Sequence, residues 1–280
     1  MTRHNEFRNL LIENNITYTE YPCVYGIKYD FLINKTIIHI ALSALYNMYF
    51  IPMSIPIDKN YFVRNKEELE NLGYRYFVIY DWEEFNKVIL MFKSTKKFRA
   101  SSCVIKNVDK EITDEFLNTN HLQNTCTGQT ISLGLYYKDE LMELITFGKP
   151  RYNSNYEWEL LRLCTKSGYL VYGGATKLFN FFVSQYRPSS IISYCNNSKF
   201  SGDVYKVLGF TKKSASPSKH WVKLFPFVHI TDNLLRQKGA DILIGTNFGK
   251  NTPNELIMKK SGFLPVPDCG QDVYTMILTS

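Results

Sequence analysis

Apolar residues recur at helical spacing at Phe7, Leu10 and Leu11 in a polar frame, so the chain opens on an amphipathic helix over residues 6–14. A short extended segment through Thr17 and Tyr18 follows. After the polar turn at Tyr21-Pro22, two β-rich runs flank Asn34-Lys35, a pair short enough to close a hairpin. Residues 58–72 read as a helix that exposes Lys66-Glu67-Glu68 and stops at Gly73, its C-cap. Tyr74 to Tyr80 reads as a buried strand, and Asp81-Trp82-Glu83-Glu84 opens another helix with its acids at the positive end. Helix, hairpin, helix, strand, helix is the order of a small α/β domain, and it ends near Phe92.

Lys93-Ser94-Thr95-Lys96-Lys97-Phe98-Arg99 is then a basic connector, which places the domain boundary between residues 1–93 and 94–280. Beyond it the pattern predicts a strand at Cys103-Val104-Ile105, a helix over 109–118, and a hairpin of 130–137 with 141–147 around Lys138-Asp139-Glu140. A strand over 158–164, a helix over 175–186 after a Gly-Gly turn, and a strand over 191–194 follow. The fold class is therefore α/β (α+β) in two domains, the second dominated by antiparallel strands.

Composition narrows the class. At 280 residues the chain exceeds the usual single domain, and 45% apolar with 21% charged residues is an ordinary globular balance. No apolar run is long enough to span a membrane, and the first residues lack the apolar stretch and cleavage site of a signal peptide. A cytoplasmic protein of a bacterial host cell, with no membrane partner, is expected. The six cysteines are scattered without C-x-x-C spacing, as free thiols in a reducing compartment are. A net charge of +7 favours an anionic partner, and duplex DNA is the one expected. Lys96, Lys97, Arg99, Lys212, Lys213, Lys219, Arg236 and Lys250 are the candidates to touch it, with Lys212 to Trp221 read as a basic, aromatic-tipped loop.

In the N-terminal half, Asp30 and His39 lie on neighbouring strands across the hairpin turn, where a carboxylate and an imidazole face each other. Magnesium nucleases need more: several fixed anionic oxygens and a proton donor. The frame Tyr29-Asp30-Phe31, Asn47, Asp58-Lys59-Asn60-Tyr61, Lys66, Gly73-Tyr74-Arg75 and Asp81-Trp82 resembles the Hef-like homing endonucleases of phages. That resemblance implies a restriction-endonuclease-like domain of the very-short-patch-repair, EDxHD type. The departures fall on its polar positions: His39 stands where the family carries Glu, Tyr46 where it carries His, and Phe62 and Val78 replace two more histidines. Asp30 and His39 thus read as the remnant of a nuclease centre, no metal ligand set is assigned, and a divalent metal is not expected, because imidazole prefers softer metals than the carboxylate it replaces.

In the C-terminal half, Gly173-Gly174-Ala175-Thr176 open a helix after a strand, an arrangement whose free N–H groups suit a pyrophosphate. A strand, a second helix over 202–210 and the ending Leu208-Gly209-Phe210 follow. Together with Asn120-His121-Leu122-Gln123, Ser193-Tyr194-Cys195-Asn196 and Asp268-Cys269-Gly270-Gln271, this half resembles the C-terminal region of the same phage proteins and, more distantly, the Mom-type DNA-modifying enzymes of the GNAT class. The resemblance implies acyl-CoA as the cofactor candidate at Gly173, Gly174, Ala175 and Thr176, and places catalytic positions at His121, Asn196 and Tyr205. A polar set of His229, Asp232, Asn233, Arg236, Thr246, Asn247 and Lys250 is expected to converge beside a helix carrying His229.

The expected function is that of a phage or mobile-element protein acting on DNA, with a silent nuclease-like domain and a GNAT-like domain that modifies or recognises a base. Two alternatives stay open: a non-enzymatic binder or inhibitor of a host defence or transcription factor, and a working homing endonuclease built around Asp30, His39 and Asp58.

Overall fold

The computed structural model describes residues 2–41, 60–93, 95–216, 219–224, 227–231 and 254–278. Helix α1 (Arg3–Glu13) is capped by Thr2, whose side chain accepts from the Asn5 N–H, and it buries Phe7 and Leu11. Strands β1 (Thr19–Glu20), β2 (Cys23–Val24), β3 (Ile27–Lys28), β4 (Phe31–Ile33) and β5 (Thr36–Ala41) follow, then α2 (Tyr61–Asn71), β6 (Arg75–Tyr80) and α3 (Phe85–Leu90). The first sheet has the order β1-β4-β5-β6, with β5 and β6 parallel. The expected hairpin turn is there, with Asn34 at φ +54°. Asp81 to Glu84, however, precede α3 rather than opening it.

Alternation along these strands sorts side chains to two faces. Phe31, Ile33, Ile38, Ile40, Phe77 and Ile79 meet Phe7, Leu11 and Phe85 from the helices. Ile37, Ala41, Tyr76, Val78 and Tyr80 form the other face with Phe62 and Leu69 of α2, and that core is completed by Val222, Val266 and Cys269 from the far end of the chain. The two halves share a core.

The basic connector is not a free linker. Lys96 to Arg99 form β7, which pairs in parallel with β12 (Tyr169–Tyr172), because backbone pairing is open to an exposed, polar segment as readily as to an apolar one. The second half runs β8 (Val104–Asn107), α4 (Lys110–Asn120), β9 (Gln129–Tyr137), β10 (Glu140–Gly148), β11 (Trp158–Thr165), β12, α5 (Gly174–Tyr186), β13 (Ser190–Asn196), α6 (Asp203–Val207), β14 (Thr211–Ser216), β15 (Lys219–Leu224), β16 (Phe227–Thr231), α7 (Asn254–Lys260), β17 (Leu264–Pro267) and β18 (Gln271–Ile277). A seven-stranded sheet has the order β14-β18-β13-β11-β10-β9-β8. Helix α5 lies on it through Leu178, Phe179 and Phe182, the last stacked on Phe147 with ring centroids 3.6 Å apart.

Three readings of the sequence change here. His229 sits on strand β16, not on a helix. Lys212 to Trp221 belong mainly to β14 and β15, and Trp221 is fully buried rather than the tip of a loop, since β15 is the middle strand of a small sheet with β16 and β17. The helix over 202–210 shortens to five residues.

The loop after β13 joins the halves. Val78 donates its N–H to Ser198 O at 2.9 Å, while buried Lys199 pairs with Glu83 Oε2 at 2.5 Å and bonds the Val78 carbonyl. Its ammonium lies over the Phe77 and Tyr80 rings. Lys66 donates to Phe200 O, and Tyr80 donates its hydroxyl to Pro267 O at 3.1 Å. Removing Glu83 strands the buried Lys199 ammonium, so Glu83→Ala is expected to cost about 3 kcal/mol in urea unfolding, against under about 1 kcal/mol for Asp139→Ala in the exposed pair with Lys106. Equal losses would contradict the role given to Lys199.

Candidate functional site: a cavity where the sheet divides

Strands β11 and β13 are the parallel neighbours of the large sheet, and they pair only at Trp158 with Ile191 and Glu159 with Ile192. Beyond that point β11 runs on to Thr165 and β13 to Asn196 without pairing to each other, so the two strands diverge. The gap is a cavity of about 430 Å³, lined by residues that include Glu159, Arg162, Tyr194, Asn196, Tyr205 and His121. All three positions implied by the Mom-type resemblance therefore meet in one place.

Each is held by its own backbone. His121 caps the end of α4, donating its N–H to Leu117 O, and its Nδ1 accepts from the Gln123 N–H at 3.1 Å. Burial, with the charges of Arg162 and Lys87 behind it, pushes its pKa down to about 3, so the ring is neutral. Asn196 ends β13 and accepts the Ser198 N–H on its side-chain oxygen at 2.9 Å. Tyr205 stacks on Tyr274 with centroids 4.6 Å apart, and its hydroxyl lies 3.0 Å from Ser193 Oγ. Burial pushes that phenol up to about 12.

The cavity also holds charges that the sequence reading left out. Glu159 is fully buried on β11, and both its oxygens are taken by Arg151: Oε1 by the guanidinium at 2.5 and 3.0 Å, Oε2 by the Arg151 N–H at 2.8 Å. Arg162, on the same strand, donates to the carbonyls of Asn124, Leu161 and Gln123. Arg75, the first residue of β6, reaches the rim from the N-terminal half. The signal for two of these was present: Glu159 and Arg162 interrupt an apolar run, which a purely structural strand does not need.

The nuclease remnant is divided. Asp30 accepts the Ile40 N–H at 2.7 Å and faces His4, whereas His39 bonds to the Tyr76 hydroxyl at 2.8 Å among Tyr29, Tyr61 and Phe62. Burial holds the His39 pKa down at about 4. The carboxylate and imidazole expected to face each other thus have separate partners, because the Asp30 side chain, just before β4, turns to cap the Ile40 N–H of β5. Among the described residues no group of three or more His, Cys, Asp or Glu is arranged to hold a metal. Tyr46, Asn47 and Asp58 lie outside the described residues.

At the start of α5, Gly173 is exposed at φ +75° and Gly174 is buried. A Cβ on Gly174 would meet Glu143 Oε2 at 1.7 Å, and that oxygen has no hydrogen-bond partner. Thr176 lines an open groove with Arg99, but Lys177 is committed to the carbonyls of Ala100 and Cys103 at 2.9 and 2.6 Å. With Lys177 engaged, Arg99 and the start of α5 are the groups of this groove that would meet an acyl-CoA diphosphate, and the Glu143 carboxyl beneath the helix end, raised to about 8, is uncharged at neutral pH. Ala175 and Thr176 are half-buried and supply no charge.

Of the basic candidates, Lys96, Lys97 and Arg99 are exposed on β7, and Lys212 and Lys213 on β14, where Lys212 pairs with Asp272 at 2.6 Å. Arg236, Lys250 and the other polar positions of 232–250 lie outside the described residues, as does the side chain of Lys219. No described helix is long and apolar enough to cross a membrane.

No family model and no curated protein matches the sequence. Among solved structures, the catalytic domain of homing endonuclease I-Bth0305I aligns over 29% of this chain and 76% of its own, at 24% identity and a TM-score of 0.23. A Bacillus subtilis acetyltransferase solved with CoA aligns over 63% of this chain and 99% of its own, at 14% identity and a TM-score of 0.35. The Escherichia coli ribosomal-protein-S18-alanine N-acetyltransferase covers 64% and 95%, at 7% and 0.38.

The buried titratable groups fix a pH response. Burial raises the Glu143 pKa from 4.5 to about 8, so its contribution is full below pH 4.5 and is lost as pH rises through about 8. His39 and His121, lowered from 6.5 to about 4 and about 3, contribute above pH 6.5 and lose it as pH falls. Thermal melts from pH 6.5 to 8.5 should therefore show stability falling with pH, and Glu143→Gln should flatten that slope; an unchanged slope in the variant would contradict the assignment.

Proposed function

We propose that this protein acts on DNA, taking a single extruded base into the cavity between β11 and β13, with the N-terminal half serving as a scaffold on the duplex rather than as a nuclease. The convergence of His121, Asn196 and Tyr205 on one cavity of about 430 Å³ carries this reading. That volume falls within the range of about 300–1,000 Å³ usual for small-molecule sites. A base leaves the stack for a few kcal/mol and is then read by hydrogen bonds to its edge and by aromatic contact. Here the uncharged Tyr205 phenol and His121 imidazole line the cavity as hydrogen-bonding groups, and Tyr152 and Tyr194, set edge-to-face at 5.5 Å, provide aromatic surface.

Cleavage is not part of the proposal, since His39 is locked neutral in an aromatic core and Asp30 serves the β5 backbone. One observation favours recognition over modification. Neither His121 nor Tyr205 titrates near neutral pH, and general acid–base catalysis is most effective when its groups do.

Mass spectrometry of nucleosides from DNA co-expressed with the protein separates the two. A modified base that disappears with Tyr205→Phe is the result expected of an enzyme. Unmodified DNA that the protein nevertheless binds leaves recognition as the function, and no binding to duplex DNA at low salt would overturn the reading altogether.

A further inference from the structure

Two arginines at the cavity make no contact ion pair with a carboxylate, although Asp203 lies near Arg75 and Glu159 near Arg162. Arg151 is neutralised by Glu159, but among the described residues neither Arg162 nor Arg75 lies within ion-pair distance of an acid. Arg162 is half-buried, and the three bonds it makes go to main-chain carbonyls, which orient a guanidinium without neutralising it. Five N–H groups are available on such a side chain, so part of its fork is left for the cavity. Arg75 comes from the opposite half of the molecule, fixed at the start of β6 where its own N–H donates to Lys35 O at 2.7 Å. The remaining acid of the rim, Asp203, feels the charge of Arg75, but its carboxylate oxygens bond Ser201 and Lys206.

A half-buried cation without a counter-charge is costly unless a ligand supplies one. Planar guanidinium forks match the oxygens of a phosphate, and Tyr152, exposed beside Tyr194 at the same mouth, offers a face to an aromatic ring. Phosphate and ring together are the two ends of a nucleotide.

We infer that Arg162 and Arg75 form a phosphate site, and that the ligand of the cavity is a nucleotide gripped at its phosphate by one arginine from each half while its base lies against Tyr152 and Tyr194. This rests on the reading of the cavity as a base pocket and extends it to the backbone group that enters with the base. It also gives the N-terminal half a direct part in the site: Arg75 reaches the cavity only while β6 is docked against the loop after β13, so a ligand held by both arginines bridges the two halves.

The test is titration of the full-length protein, by calorimetry or by ligand-observed NMR, with a deoxynucleoside 5′-monophosphate, the matching deoxynucleoside and inorganic phosphate. The monophosphate is expected to bind at least about ten-fold more tightly than the nucleoside, the size of effect that a charged hydrogen bond supplies. Arg75→Ala, an exposed position whose loss leaves the core intact, should remove most of that advantage, and Arg162→Lys should weaken it while keeping the charge. Equal binding of nucleoside and monophosphate, or an advantage untouched by both variants, would overturn the proposal. Phosphate binding as tightly as the monophosphate would overturn the nucleotide and leave a simple oxyanion site. The two readings fail separately: DNA that is neither bound nor modified sinks the proposed function while monophosphate binding stands, and DNA binding without a monophosphate preference sinks only the arginine site.

Discussion

Everything that distinguishes this structure depends on one buried charge. Lys199 enters the edge of the first sheet, where Glu83, the Val78 carbonyl and two aromatic rings receive it. An ammonium is taken out of water only against strong compensation, so the loop that carries it has few alternative positions. That loop begins at Asn196, the end of β13, and leads to α6 with Tyr205. Docking of the halves and shaping of the cavity are thus the same event. The shared core of Val222, Val266 and Cys269 beneath the first sheet reinforces it with apolar area.

The cavity itself follows from a limit on strand pairing. Two parallel strands that hydrogen-bond at their first residues and then part must leave unpaired backbone, and the space between them is filled by side chains or by a ligand. Here the lining is polar, with Glu159 fully buried and satisfied by Arg151. Burial moves His121 and Tyr205 away from neutrality in opposite directions, which makes them fixed hydrogen-bonding groups. A site of this kind is built to discriminate a ligand by shape and donors. Its arginines add an attraction for anions that a closed apolar core would lack.

Periodicity made much of the architecture legible. Helices α1, α2, α4 and α5 and strands β6, β9, β10, β11 and β13 fall within a few residues of their expected places, because each has one continuous apolar face. The strand at Lys96 to Arg99 was hidden, since its partner is a sequence-distant strand and its side chains stay in water. His229 and Trp221 were misplaced for a related reason: the small sheet of β15, β16 and β17 is stabilised by packing on the other half, which no local pattern records. At the site, the resemblance points to His121, Asn196 and Tyr205 but not to Arg75. Arg75 joins the lining of the cavity only once β6 has docked, and no spacing in the sequence brings residue 75 near residue 162.

The central claim is that the gap between β11 and β13 receives a base drawn out of duplex DNA. The most direct measurement is the fluorescence of a duplex carrying 2-aminopurine opposite its partner, titrated with the protein at low salt, since that base brightens when it leaves the stack. The account predicts a saturable rise that is lost when the cavity is blocked by Asn196→Trp, while binding to the duplex persists. Saturated binding with no change in fluorescence at any substituted position would contradict it.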